Sequence, residues 1–251
     1  IPGVGELLAL RIAMLATEFD AQLEEHADIW KRGLVEAEEE IEHCREEGIE
    51  VISIFDSAYP ERLRTIEKAP PVLYVRGPVG ALHRTRAVAV AGSKGAAKAS
   101  SAAAVGAVSA LAGKQWGIVV ALGNSIGTEA RRAALFRRVP ILGVMGCGFA
   151  AASQAGDEAV EEILAGGGTL VSQYRMSLRQ TRSTASNRDR TQIALAVALV
   201  LTGASLRSGS LHMARYAAEM GRPTFCAEPF PGGPREEWLH TLVEAPGNSL
   251  P

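Results

Sequence analysis

From Thr85 onward, short apolar runs alternate with longer helical stretches, and most of the runs stop at a glycine or a hydroxyl residue. The runs read as strands at Ala87–Ala91, Gly117–Leu122, Ile141–Met145, Thr169–Ser172, Ala198–Leu201 and Thr224–Ala227. The intervening stretches read as helices at Ala96–Ala112, Thr128–Arg138, Asp157–Leu164, Arg190–Val197 and Ser210–Met220. The strand runs are continuously apolar, without a period of two, so both of their faces must be covered. Strand and helix in strict alternation predict an α/β fold, a doubly wound and mainly parallel sheet. In such sheets ligands sit outside the carboxyl ends of the strands, where the strand order reverses. The loops after the strands are therefore where function is to be sought.

Upstream, the pattern differs. Ile1-Pro-Gly-Val-Gly5 reads as a glycine hairpin opening a helix, and Ala27 to Glu47 as a second helix with an apolar stripe (Ile29, Trp30, Leu34, Ala37, Ile41) and a solvated acidic face. Ile49–Phe55 and Val72–Val75 read as strands. We place residues 1–80 in a small helical N-terminal unit with extension strands, and 81–251 in the main α/β domain. Net charge is only −2, but residues 1–50 carry −10 and the remainder +8. The basic body permits a polyanionic partner. Cys44, Cys147 and Cys226 are far apart and lack metal-ligand spacing, which suits reduced thiols in a cytoplasmic protein without a metal. No apolar run reaches the ~20 residues of a membrane helix.

Five loops carry the candidate residues. Gly92, Ser93 and Lys94 follow the first strand of the α/β pattern, in a strand–glycine–helix order that aims backbone amides at an anion. Gly123-Asn124-Ser125-Ile126-Gly127-Thr128 follows the second, with Thr128 as a cap. Gly146-Cys147-Gly148 follows the third. After the fourth comes a long loop in which positions 175–190 hold five arginines (Arg175, Arg179, Arg182, Arg188, Arg190) against one acid, Asp189, with Asn187 among them. Ser208, Gly209 and Ser210 follow the fifth. Glycine, hydroxyl and arginine on one rim suit a phosphate-bearing ligand. There is no G-x-G-x-x-G, no P-loop spacing and no Ser-His-Asp or Cys-His set. Glu129 is the single acid near the second loop. His212 lies one turn into a helix.

Tyr59-Pro-Glu-Arg-Leu63, Pro70-Pro-Val-Leu-Tyr-Val-Arg-Gly77, Ala87–Lys94, Ser172-Gln-Tyr174, Asn187-Arg188 and Ser208-Gly-Ser-Leu211 followed by Gly221-Arg222 and Phe225 together resemble the DNA-processing protein A (DprA/Smf) family. The resemblance implies a Rossmann-like domain that binds single-stranded DNA and helps load the RecA recombinase, in DNA recombination and natural transformation. It implies no catalytic residue and no cofactor, and allows a homo-oligomer. In the second loop Asn124, Gly127 and Arg131 stand where the family has arginine, aspartate and histidine. Two other readings stay open from the residues alone: a nucleoside-monophosphate phosphoribohydrolase-like enzyme, faintly echoed by Gly123…Gly127-Thr128-Glu129, and a small-nucleotide sensor. The candidate phosphate-binding set is thus Gly92, Ser93, Lys94, Asn124, Ser125, Arg175, Arg179, Arg182, Asn187, Arg188, Arg190, Ser208, Gly209 and Ser210.

Overall fold

The computed structural model describes residues 27–92, 97–156, 158–202 and 209–226. The N-terminal glycine hairpin, Ser93, Lys94 and Ser208 lie outside the described residues. The elements in chain order are α1 (Ala27–Glu46), β1 (Ile49–Ser53), α2 (Glu61–Arg64), β2 (Val72–Arg76), a 3-10 turn (Val79–His83), β3 (Ala87–Ala91), α3 (Ala97–Leu111), β4 (Gly117–Ala121), α4 (Ser125–Arg137), β5 (Ile141–Met145), α5 (Phe149–Gln154), α6 (Glu158–Ala165), β6 (Thr169–Ser172), α7 (Arg182–Leu195), β7 (Ala198–Leu201), α8 (Gly209–Glu219) and β8 (Thr224–Cys226).

All eight strands form one sheet, ordered β1-β2-β6-β5-β4-β3-β7-β8. The strands from β3 onward pair in parallel, whereas β2 joins β6, and β1 joins β2, antiparallel. Continuous apolar runs give continuous burial: every residue of β3, β4, β5 and β6 is buried. Alternate residues feed opposite layers. Val88 and Val90 of β3 pack with Ala104 and Val108 of α3 and Ala130 and Ala134 of α4. Ala87, Ala89 and Ala91 pack instead with Ile193 and Ala194 of α7 and Met213 and Ala217 of α8. The sheet is doubly wound and Rossmann-like.

Among the boundaries that differ from the sequence expectation, three have a clear local reason. The strand from Ile49 stops at Ser53, not Phe55, because the Asp56 carboxylate accepts the Ser53 N–H at 2.6 Å and the Ser53 hydroxyl accepts the Phe55 N–H at 3.2 Å, turning the chain. Helix α4 begins at Ser125, capped by Asn124, whose side-chain oxygen accepts the Gly127 N–H at 2.6 Å; Thr128 is inside the helix, not its cap. Helix α7 begins at Arg182, eight residues before the expected start, because Thr181 and Thr184 cap it reciprocally. Most of what reads as a long arginine loop is therefore helix. The short α5 was not expected at all.

One irregularity opens the sheet at its functional end. Pairing of β3 with β4 ends at Ala89–Val119, although β3–β7 pairing continues to Ala91–Leu201 and β4–β5 pairing to Ala121–Val144. Gln192 of α7, fully buried, enters the split, and its amide nitrogen donates to the carbonyls of Val119 (2.8 Å) and Val90 (3.2 Å). Buried carbonyls released by the splay are thus satisfied by a side chain.

Candidate nucleic-acid interface

Strand order reverses between β3 and β7, since β4, β5 and β6 extend the sheet to one side of β3 and β7 and β8 to the other. At that point Gly92 is wedged against Thr202 and Ile126: a Cβ on Gly92 would lie 2.5 Å from the Thr202 hydroxyl oxygen. Thr202 in turn closes the edge by donating its N–H to the Ala91 carbonyl at 2.9 Å. Gly209 opens α8 and is exposed, and Ser210 follows it in that helix. The neighbouring turn holds Gly123 at φ +81°, a left-handed conformation that favours glycine, then Asn124 and the exposed Ser125 at the N-terminus of α4. Free N–H groups at a helix start of this length suit an anion.

The segment from Gln173 to Thr181 crosses over these turns. Gly148 N–H donates to the Leu178 carbonyl at 2.9 Å and Ala151 N–H to the Met176 carbonyl at 3.0 Å, fastening the segment to the loop after β5. The Gln180 side chain reaches over both Gly146 and Gly123, where a Cβ would meet its Oε1 at 2.9 and 3.4 Å. The closest approach is at Gly148, whose φ of −74° any residue could adopt. A Cβ there would fall 1.9 Å from the Arg175 carbonyl oxygen and 2.3 Å from that of Met176. Backbone cannot yield as a flexible side chain does, so Gly148→Ala is expected to lift the crossing segment and to cost about 1–3 kcal/mol. Thermal unfolding checks this, and an unaltered Tm would show the segment to be loosely held.

The five arginines of this region have different fates. Arg188 is buried on the sheet-facing side of α7. Its Nη1 donates to the Leu122 carbonyl at 2.6 Å, and its Nε and Nη2 donate to one oxygen of Asp189 at 3.0 and 2.7 Å. It ties α7 to the end of β4. Burial pushes the Asp189 carboxyl up, against the pull of Arg188. Arg190 leans over the Tyr216 ring, 5.4 Å from its centre, and lies 3.7 Å from Glu219. Arg175 turns back to α1: its Nε donates to Glu40 at 2.8 Å, and Glu36 stands 3.8 Å away. The other Glu40 oxygen accepts the Met176 N–H at 2.8 Å. Arg179 and Arg182 are exposed, with no ion-pair partner among the described residues.

Polar side chains hold the arrangement together. The Tyr174 hydroxyl donates to the Thr184 carbonyl at 2.9 Å and accepts from Gln173 at 3.1 Å; the exposed Asn187 also bonds to it. Burial raises the Tyr174 pKa. The Thr191 hydroxyl donates to Gln173, joining this group to α7. Glu129 lies 3.8 Å from Arg132 on the same helix. Gln180, Gln173, Thr191 and Gln192 were not among the sequence candidates. A Thr-x-x-Thr cap at 181–184 is the signal that would have placed α7, and with it the inward-facing side of that helix.

The family model for DNA recombination-mediator protein A matches residues 50–244. The chain is similar to the DNA processing protein DprA of Bacillus subtilis, 25% identical over 195 residues that cover 76% of this chain and 66% of that protein. It is also similar to the protein Smf of Escherichia coli, 29% identical over 200 residues, covering 74% of this chain and 50% of that one. The chain thus spans between half and two thirds of the length of these relatives. Among solved structures, DprA of Streptococcus pneumoniae superposes with a TM-score of 0.68 at 26% identity, covering 78% of this chain and 69% of that one. DprA of Helicobacter pylori, from a structural study of that protein's single-stranded DNA binding mode, gives 0.66 at 21% identity, covering 78% and 87%.

Proposed function

The chain belongs to the DNA recombination-mediator protein A family, and on that premise we propose that it binds single-stranded DNA along the carboxyl edge of its sheet. The observation that carries the reading is the pair Arg179 and Arg182, exposed and without acidic partners among the described residues, Arg179 on the segment anchored over the glycine turns after β4 and β5 and Arg182 at the start of α7, where that segment ends. Guanidinium forks there, together with the free amides at the start of α4, suit phosphate oxygens. Contacts of this kind track a backbone and do not read sequence. The hydroxyl of Tyr174, the aromatic residue of the crossing segment, is bonded to Thr184, which favours backbone tracking over base stacking. By family resemblance the bound strand is passed to the RecA recombinase, and the resemblance allows a homo-oligomer.

Affinity for an oligothymidylate and for a duplex, each measured at two salt concentrations, tests the reading. Tighter binding of the single strand is expected. Its log–log salt slope should be at least about −1.4 in magnitude, from the roughly −0.7 per phosphate neutralised on single strands and two free arginines. Equal affinity for the duplex, or a flat salt dependence, would count against it.

A further inference from the structure

The opposite edge of the sheet, where the parallel strands begin, carries a second concentration of cations. Two adjoining clefts run along it and share Gly80, Arg84 and Pro140. One, of about 290 Å³, is floored by the first residues of β3, β4, β5 and β6. The other, wide open and about 710 Å³, is lined by His83, Arg84, Arg86, Gln115 and Pro140 among others, and no acidic residue lines either.

Four arginines gather at this edge. The aliphatic stem of Arg84 lies against Gly117, where a Cβ would approach its Cδ to 2.9 Å. Arg86 is exposed, and neither it nor Arg84 has an ion-pair partner among the described residues. Arg62 approaches the same turn and donates to the carbonyls of Arg84 (3.1 Å) and Thr85 (3.5 Å). Arg222, at the start of β8, is near enough to Arg62 for the two charges to repel, and its Nε is buried with no hydrogen-bond partner. Arginine cannot relieve such crowding by losing its proton. The carboxyl ends of α4 and α8 point to this edge and account for Arg137, Arg138 and Arg222 as complements to helix dipoles. They do not account for Arg84 and Arg86, which follow the 3-10 turn, Arg84 in extended backbone and Arg86 in the bend before β3.

We propose that this edge is a second nucleic-acid contact, taking the phosphodiester backbone of a single strand on the side of the sheet away from Arg179 and Arg182. The cations extend from the start of β8 past β7 and β3 to that of β4, three strand intervals or about 14 Å. That suits a row of phosphates better than one compact anion. The open cleft leaves room for the attached sugars and bases. Planar guanidinium forks match phosphate oxygens two at a time.

Stoichiometric titration of the full chain with an oligothymidylate of about eight nucleotides at low salt separates the two edges. Two oligonucleotides per chain are expected for the wild type and one for R84E/R86E, with the affinity of the remaining site unchanged. Because the Arg84 stem is packed, Arg86→Glu alone serves as the fold-neutral variant and should weaken the second site about tenfold. If R84E/R86E still takes two, or if a polyglutamate peptide occupies the cleft and the oligonucleotide does not, the proposal is overturned. Failure of the carboxyl-edge reading looks different: one oligonucleotide binds the wild type, survives R179E/R182E and is lost in R84E/R86E, which upholds the second site.

Discussion

Replacing Arg188 with alanine is expected to lower the unfolding free energy by about 3–5 kcal/mol, because it strands a carboxylate in the interior and unties a helix from a strand. The Arg188 side chain is 6% exposed and that of Asp189 17%. In the variant, the Leu122 carbonyl loses its 2.6 Å donor and Asp189 loses both of its own from this residue. At about 2–4 °C per kcal/mol for a chain of this size, Tm should fall by about 6–20 °C. Substituting both partners with apolar residues of similar volume should restore much of the loss, since the penalty lies in the unpaired charge.

The loss should also depend on pH, and its sign follows from Asp189. Burial raises the folded-state pKa of that carboxyl, and Arg188 opposes the rise. Removing Arg188 leaves only His212 to oppose burial, so the pKa moves further up. A carboxyl with a raised folded pKa binds its proton more tightly when folded. The folded state is then favoured below the unfolded value of about 3.9 and loses that advantage as pH climbs through the folded value. The deficit of Arg188→Ala should therefore be smaller near pH 4 than near pH 8. Melts at the two pH values check this, and an equal deficit at both would remove the buried-charge explanation.

Arg188 also shows what a sequence can and cannot disclose. The strands of the parallel sheet were legible because Ala-Val runs such as 87–91 are apolar on both faces and end at small residues. The partners of the charged side chains were not. Once α7 is known to start at Arg182, Thr184, Arg188, Thr191, Gln192 and Leu195 fall on one helical face, and all are buried. With the helix read only from Arg190, Thr184 and Arg188 fall in a loop and share no face with Thr191, Gln192 and Leu195, and Arg188 looks like one more cation for phosphate. Glu40 makes the converse point. On an acidic helix it reads as a solvated residue, yet its side chain is only 13% exposed and it holds Arg175 and the Met176 N–H from 135 and 136 positions away. Helical spacing reveals which face is apolar, but not a pairing made by the fold across the chain. Gln192, filling the split between β3 and β4, belongs to the same class: it is legible only once the sheet is seen to splay.

Reversing Arg179 and Arg182 together, as R179E/R182E, should weaken single-strand binding by about tenfold to a hundredfold while leaving Tm almost unchanged. Each charged hydrogen bond to a phosphate contributes about 1.5–3 kcal/mol, part of which water and counterions replace when it is lost. Both side chains are exposed and make no ion pair among the described residues, so the folded state loses nothing of comparable size. The salt slope should become shallower by about 1.4, the contribution of two phosphates on a single strand. Arg175→Ala is the control that distinguishes geometry from mere composition. Its guanidinium, though 64% exposed, is already held by Glu40 and Glu36, so its removal should change affinity far less than that of either free arginine. If Arg175→Ala instead matches the loss from R179E/R182E, the anchored segment acts as an undifferentiated cationic patch, and the two free arginines have no special place in it.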